Sequence, residues 1–242
     1  MVRVSLICQL IIETIADTAG KRRLISVDEK TGIQALQRTE AMAPLSKGGH
    51  RRREFEYTRH GTTCLMAAFD VGKGNILTHR LHPTRTEKDF DLFIRHTIEL
   101  IPQEEQVILL ADQLNTHISE SLVVFVAQEC GFQGDLGKKG RQGILKNQES
   151  RRAFLENSEH RLRFVFTPKH CSWLNPVENW FAKLQQHVIE NGNFSSVKQL
   201  ESKMVDYIKF YNRCLVKPLK WKFKGFAKAS ALVNLNLEKL RA

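Results

Sequence analysis

The chain is expected to fold as an α/β domain built on a mixed β-sheet flanked by helices, and two observations carry that expectation. Strand-like segments come first, between residues 24 and 82, and strand–helix alternation follows as far as residue 211. The run Val107-Ile108-Leu109-Leu110-Ala111 is apolar without alternation, as in a strand covered on both faces of a sheet. At 242 residues, with 42% hydrophobic and 26% charged content, the chain can bury one sizeable core with appendages.

The elements follow in order. Residues 4–12 (VSLICQLII) are apolar but too short to span a bilayer. Glu13 and Asp17 come next without a small-residue cleavage site, so residues 1–20 read as a helix or linker and the protein as cytosolic, with no membrane partner. Residues 24–28 read as a buried strand and 33–37 as a second, joined through Lys30-Thr31-Gly32. Residues 40–60, with Pro44, Gly48, Gly49 and Arg51-Arg52-Arg53, read as an exposed basic loop. Thr62–Val71 and Asn75–Leu81 form the arms of a hairpin turned at Gly72-Lys73-Gly74.

Thr86 is an N-cap with Asp89 three residues on. Phe90, Phe93, Ile94, Thr97 and Ile101 give that helix an apolar face, and Pro102 ends it. A further helix is expected over 117–130. Glycine then recurs at 131, 134, 137, 140 and 143, in a run too short and too free of proline for collagen. With Lys138, Lys139 and Arg141 interleaved, it reads as a flexible basic excursion, either touching a nucleic-acid backbone or simply solvated. Residues 162–167 make another strand, stopped by Pro168. A helix from Pro176 aligns Val177, Phe181, Leu184 and Val188, and one over 196–211 opens on Ser196 and Gln199. From Lys217 the chain is basic and aromatic, with Lys220, Lys222 and Lys224 between Trp221, Phe223 and Phe226. This tail either lies on DNA, with Trp221 or Phe223 stacking, or packs back on the domain.

Lys+Arg of 37 against Asp+Glu of 26 leaves a net charge of +11, and the sequence pI is near 9.6. That surplus suits a polyanion such as DNA or RNA, although a basic surface with no binding role has the same composition. Five scattered cysteines without a Cys-x-x-Cys pair argue against a disulfide framework or a zinc ribbon. His79 and His82 lack the neighbours of a metal site.

Asp28, Asp112 and Glu178 are the candidate catalytic and metal-binding residues. Asp28 ends one apolar run, Asp112 ends another, and Glu178 lies in the first turn of the helix opened by Asn175-Pro176. Carboxylates at the ends of adjacent strands can hold magnesium, and two such ions serve phosphodiester chemistry by activating the attacking oxygen and stabilising the leaving one. Singly, each has a plainer reading: Asp28 as a turn residue, Asp112 as a helix cap, Glu178 as a capping-box glutamate.

Asp28-Glu-Lys-Thr-Gly-Ile-Gln-Ala-Leu-Gln-Arg-Thr39, Arg59-His-Gly-Thr-Thr63, Leu109-Leu-Ala-Asp-Gln-Leu-Asn-Thr-His117 and Phe166-Thr-Pro-Lys-His-Cys-Ser-Trp-Leu-Asn-Pro-Val-Glu-Asn-Trp-Phe-Ala-Lys-Leu184 resemble motifs of the IS630 (IS630/Tc1/mariner) transposase family, over about residues 22–215. The resemblance implies an RNase H-like fold over 21–215, with an insertion at about 130–160 and a basic tail over 216–242. It implies DNA strand cleavage and strand transfer dependent on Mg2+ (Mn2+ substituting), with Asp28, Asp112 and Glu178 as catalytic ligands. Lys30, Asn115, His117 and Asn179 would support them. Implied partners are double-stranded DNA at transposon ends and target, and a second copy of the chain in a homodimer, in a nucleoid-associated cytoplasmic protein. Arg51, Arg52, Arg53, Lys138, Lys139, Arg141, Lys220, Lys222 and Lys224 are the candidate DNA contacts. The alternatives are a catalytically inactive DNA-binding remnant and an RNase H-like nuclease. Three features depart from the family pattern. Only about 20 residues precede the first strand, where relatives carry helix-turn-helix domains, so a truncated or separately encoded copy is expected. Gln113 stands where asparagine is usual, and the 65 residues 113–177 exceed the usual spacing between the second aspartate and the glutamate.

Overall fold

Two layers of helices sandwich a five-stranded sheet in the computed structural model, which describes residues 1–17, 20–38 and 56–226. Arg51, Arg52 and Arg53 lie outside the described residues. Helix α1 (Val2–Ala16) precedes strands β1 (Arg22–Arg38), β2 (Tyr57–Asp70) and β3 (Asn75–His82). Helix α2 (Glu87–Glu99), strand β4 (Gln106–Ala111), helices α3 (Glu120–Glu129) and α4 (Gln148–Leu155) and strand β5 (Leu162–Phe166) follow, and α5 (Pro176–Leu184) and α6 (Val197–Phe210) come last. The sheet order is β3-β2-β1-β4-β5. The first three strands are antiparallel neighbours, while β4 and β5 run parallel to β1.

Alternation along β1 sorts the two cores. Leu24 faces one side with Ile108, Leu110, Val177, Phe181 and Met204, beneath α1, α5 and α6. Ile25 and Val27 face the other with Leu109, Phe90, Val123 and Phe154, beneath α2, α3 and α4. Both faces of β4 are buried, as its unbroken apolar run requires.

Several expectations are corrected in detail. The strands read at 24–28 and 33–37 are one, because a register shift between Lys30 and Ile33 absorbs Thr31 and Gly32 while pairing with β2 continues. Asp28 therefore sits inside a strand rather than at its end. The helix expected from 117 starts at Glu120, capped by the Ser119 side chain, and residues Asn115–Ile118 form a separate 3-10 turn. The glycine-rich run is folded, not a flexible excursion. Lys138 and Gln142 form a short bridge, and Leu145 N–H donates to Leu136 carbonyl and buries its side chain. Gly137 and Gly143 pass so close that a Cβ on Gly137 would lie 2.2 Å from the Gln142 carbonyl oxygen. Helix α4 follows, opened by a capping box between Asn147 and Ser150.

The basic tail packs back on the domain as far as residue 226. Leu219 and Trp221 lie against the core shared with α1, and Phe226 N–H donates to Ser5 Oγ at 2.9 Å. No described helix is long and apolar enough to cross a membrane.

Candidate active site

Parallel pairing between β1 and β4 ends at Ser26 opposite Leu110. Asp28 and Asp112 each come two residues later, so this register sets them side by side on the face covered by α5. Asp28 is buried, at 8% exposure. Its Oδ1 accepts the Glu29 N–H at 2.8 Å, and its Oδ2 accepts Asn175 Nδ2 at 3.0 Å. Asn175, fully buried, also donates to the Val27 carbonyl at 3.0 Å and accepts the Ser26 hydroxyl, whose Oγ in turn accepts Val177 N–H at 2.8 Å. One amide thereby clamps the start of α5 onto β1 and aims Asp28. It forms no helix cap, and sequence reasoning missed this role because Asn before Pro reads as a cap.

Asp112 follows β4 directly. Its Oδ1 accepts Leu114 N–H at 3.0 Å and lies 2.7 Å from His117 Nδ1. His117 has no exposed surface, stacks on Phe90 at 4.0 Å between centroids, and places Nε2 3.0 Å from Glu29 Oε2. Burial favours a neutral imidazole. The bonds to Asp112 and Glu29 outweigh it and push the His117 pKa up to about 10. Glu29 alternates to the opposite face from Asp28 and is the other missed member; its adjacency to Asp28 was the available signal. Its Oε1 is buried without a hydrogen-bond partner.

Glu178 is half-buried on the first turn of α5, where no capping box forms with Asn175. Burial raises its pKa, Lys30 opposes that shift, and the charge of Asp112 adds to it. Asp28 is pushed up to about 7, first by burial and then by Asp112, with a smaller push from Glu178. Asp112 behaves oppositely: burial would raise it, but the hydrogen bond and charge of His117 hold it below the usual carboxylate range, helped by Arg85. The three carboxylates thus share one repulsive field.

No three His, Cys, Asp or Glu side chains among the described residues are close enough together to ligate one ion. The donor chemistry nonetheless fits a hard divalent cation. All three groups offer carboxylate oxygens, magnesium takes only one or two carboxylates alongside water and phosphate oxygens, and a cation would relieve the repulsion that raises Asp28.

The supporting candidates divide. His117 bonds Asp112, and the charge of Lys30 favours the ionised form of Glu178. Asn115 is exposed and turns away, accepting Gln148 Nε2 of α4 at 2.6 Å. Asn179 is exposed and lines a separate cavity with Phe69, Trp180 and Lys183. Gln113 donates to the Thr167 carbonyl at 2.6 Å and accepts Arg152 Nη1 at 2.9 Å. The Gln113 side chain and helix α4 are therefore one device, tying the end of β4 to the residue after β5. Arg152 continues it to Glu156, which pairs with Arg3 of α1. Lys138, Lys139, Arg141, Lys220, Lys222 and Lys224 are exposed, and Lys139 pairs with Glu120 at 3.7 Å.

A mixed sheet of this order, with two aspartates adjacent where the central parallel pair ends, defines an RNase H-like fold. The chain belongs to the DDE superfamily endonucleases, whose family model matches residues 23–201. Among solved structures it is similar to the Mos1 mariner paired-end complex with Mn, at TM-score 0.55 and 12% identity, over 100% of this chain and 60% of that one. The pre-cleavage Mos1 transpososome gives TM-score 0.55 and 12% identity, over 100% and 61%. At such identity the likeness is one of fold. The chain spans about 60% of the length of these relatives. No curated protein matches its sequence.

Proposed function

We propose that the chain is the catalytic domain of a DDE transposase, cutting DNA at transposon ends and joining the freed strand to a target. The observation that carries this reading is the placement of Asp28 and Asp112 where the parallel pair β1–β4 ends, with Glu178 in the first turn of the helix that Asn175 clamps over Asp28, in a DDE-family domain. Asp28 and Asp112 would hold a divalent cation, Mg2+ with Mn2+ as substitute, and Glu178 would complete the set. Such an ion supplies charge neutralisation at the phosphate and a more acidic attacking hydroxyl. Asn175 orients Asp28 Oδ2, and His117, held as an imidazolium, keeps Asp112 ionised. Lys30 draws Glu178 toward its charged form. The Mos1 relatives are described as paired-end complexes and as a transpososome, which supports duplex transposon ends as substrate and a second copy of the chain as partner. The exposed lysines at 138, 220, 222 and 224 and Arg141 would meet the DNA backbone.

The test is a nicking assay on duplex DNA carrying the element's own ends, with Mg2+ or Mn2+. Nicking should vanish with Asp112→Asn, beyond the roughly 10–100-fold that loss of an outer partner costs. Equal nicking by that variant would sink the assignment. A second reading, a DNA-binding remnant without chemistry, draws on the carboxylates not closing to ligating distance. It calls for salt-sensitive DNA binding indifferent to all three carboxylates.

A further inference from the structure

Trp173, Phe223 and Phe226 stand in water at 47%, 38% and 42% exposure, whereas Trp180, seven residues after Trp173, is 1% exposed. The three rings form one cluster. Trp173 meets Phe223 edge-on at 5.4 Å and 72°, and Phe223 meets Phe226 at 5.5 Å and 81°. Both sides of the cluster are anchored. Trp173 belongs to the 3-10 turn Ser172–Leu174, which runs through Asn175, the residue that clamps Asp28, into α5 and Glu178. The Phe side is held by Phe226 N–H on Ser5 Oγ and by Gly225, which lies so close to Ser5 that a Cβ there would be 2.6 Å from its Oγ. The cluster is therefore a fixed surface reached from the turn that begins the glutamate helix.

The two segments that supply the rings carry charge of one sign. Residues 167–175 and 217–226, the two segments that supply the rings, contain Lys169, Lys217, Lys220, Lys222 and Lys224 and no aspartate or glutamate. Flat apolar rings set among cations match a partner that has both exposed π-faces and regularly spaced anionic groups. Nucleic acid has both only where its bases are unstacked, because a duplex hides the faces and shows only phosphate.

We propose that Trp173, Phe223 and Phe226 form a stacking platform for the unpaired bases of a DNA strand, with the adjacent lysines on its phosphates. The proposal deepens the transposase reading and rests on it for the identity of the nucleic acid. The platform would take the single-stranded segment exposed when a duplex end frays or is cut.

The test uses the full chain in EDTA, so that neither metal nor cleavage enters. A short oligothymidylate, a duplex of equal length and inorganic polyphosphate are titrated while intrinsic tryptophan fluorescence and anisotropy are followed. Oligothymidylate should quench the exposed Trp173, and polyphosphate should not. Trp173→Ala and Phe223→Ala should each weaken single-strand binding about tenfold while duplex binding stays within about twofold. Lys220→Gln with Lys222→Gln should weaken both and lower the salt dependence. If Trp173→Ala unfolds the chain, Phe223→Ala and Phe223→Leu carry the same comparison, because Phe223 lies on the exposed tail. Equal losses for single strand and duplex, no loss for either, or quenching by polyphosphate alone would overturn the platform. A chain that binds oligothymidylate through these rings yet never nicks DNA would retain the platform and reject the transposase reading.

Discussion

Asp28 in β1 and Asp112 just past the end of β4 are neighbours, yet their surroundings tune them in opposite directions. Asp28 is clamped by a neutral amide and pushed up to about 7, while Asp112 is tethered to a buried imidazolium and held below the usual range. One aspartate is therefore a fixed anion at neutral pH, and the other sits at its point of titration. Burial, with the charge of Asp112 added, raises Asp28, whereas Asp112 has the hydrogen bond of His117 to offset its own burial. Ligand identity alone, two aspartates on adjacent strands, hides that asymmetry; the partners create it.

The sharpest way to break the comparison is to remove the imidazolium. His117→Gln leaves Glu29 buried without its cation and releases Asp112, and should cost about 3–5 kcal/mol of stability by denaturant titration. A loss under about 1 kcal/mol would show that the His117 bridge does not hold the site together. Asn175→Ala attacks the other half. It strands Asp28 Oδ2, the Val27 carbonyl and Ser26, and should cost about 1–3 kcal/mol. It should also weaken Mn2+ binding, whereas a purely structural amide would leave metal affinity unchanged in the folded fraction.

Titration separates the two aspartates without destabilising either. The folded-state pKa of Asp28 is raised, from 3.8 to about 7, so its ionisation opposes folding. In metal-free protein, its contribution to stability is present below about pH 4, falls as pH rises toward 7 and levels above. The Asp28→Asn variant should lose that slope. Because a cation competes with the proton on Asp28, Mn2+ affinity should climb up to about tenfold per pH unit below 7 and flatten above it. His117 works in the same direction in a higher window: its raised pKa contributes stability in full below 6.5, which is lost as pH rises through about 10.

The smallest expected effect lies in helix α4. Arg152→Met removes the bond to Gln113 and should lower Mn2+ affinity a few-fold, with stability falling about 1 kcal/mol. Arg161→Met, which breaks the bridge to Glu129 outside that helix, should leave metal affinity unaltered. If both variants behave alike, α4 supports the fold and does not position Asp112.

Features that depend on local pattern were legible in the sequence. The unbroken run 107–111 marked a central strand, and Thr86 with Asp89 marked the start of α2, where the capping box is present. The proposed site keeps the three carboxylates that the sequence singles out, and the structure sets His117 against Asp112. The illegible parts are those where a side chain bonds across a long stretch of chain. Asn175 meets Asp28 over 147 positions, and Arg152 meets Gln113 over 39. Neither separation leaves a periodic trace. Helix α4, eight residues long, was hidden behind glycines whose spacing spoke for flexibility, although Asn147 and Ser150 spelled its cap. Asn115 bonds Gln148 and Asn179 lines a separate cavity, because closeness to a motif does not decide which way a side chain points.

The strap that ties Phe226 to Ser5 joins positions 221 apart. The Ser5 flank of helix α1 waits for a partner that is synthesised 221 positions later. At roughly 5–20 residues per second, that wait is about ten to forty seconds, during which part of a largely apolar helix stays uncovered. The nascent chain therefore passes through a stage in which the sheet can already be paired while α1 still exposes surface to a chaperone. Closure of the strap is a late event in maturation, and a protease reaching residues 217–226 before that closure would leave the sheet and its aspartates intact with α1 partly bare.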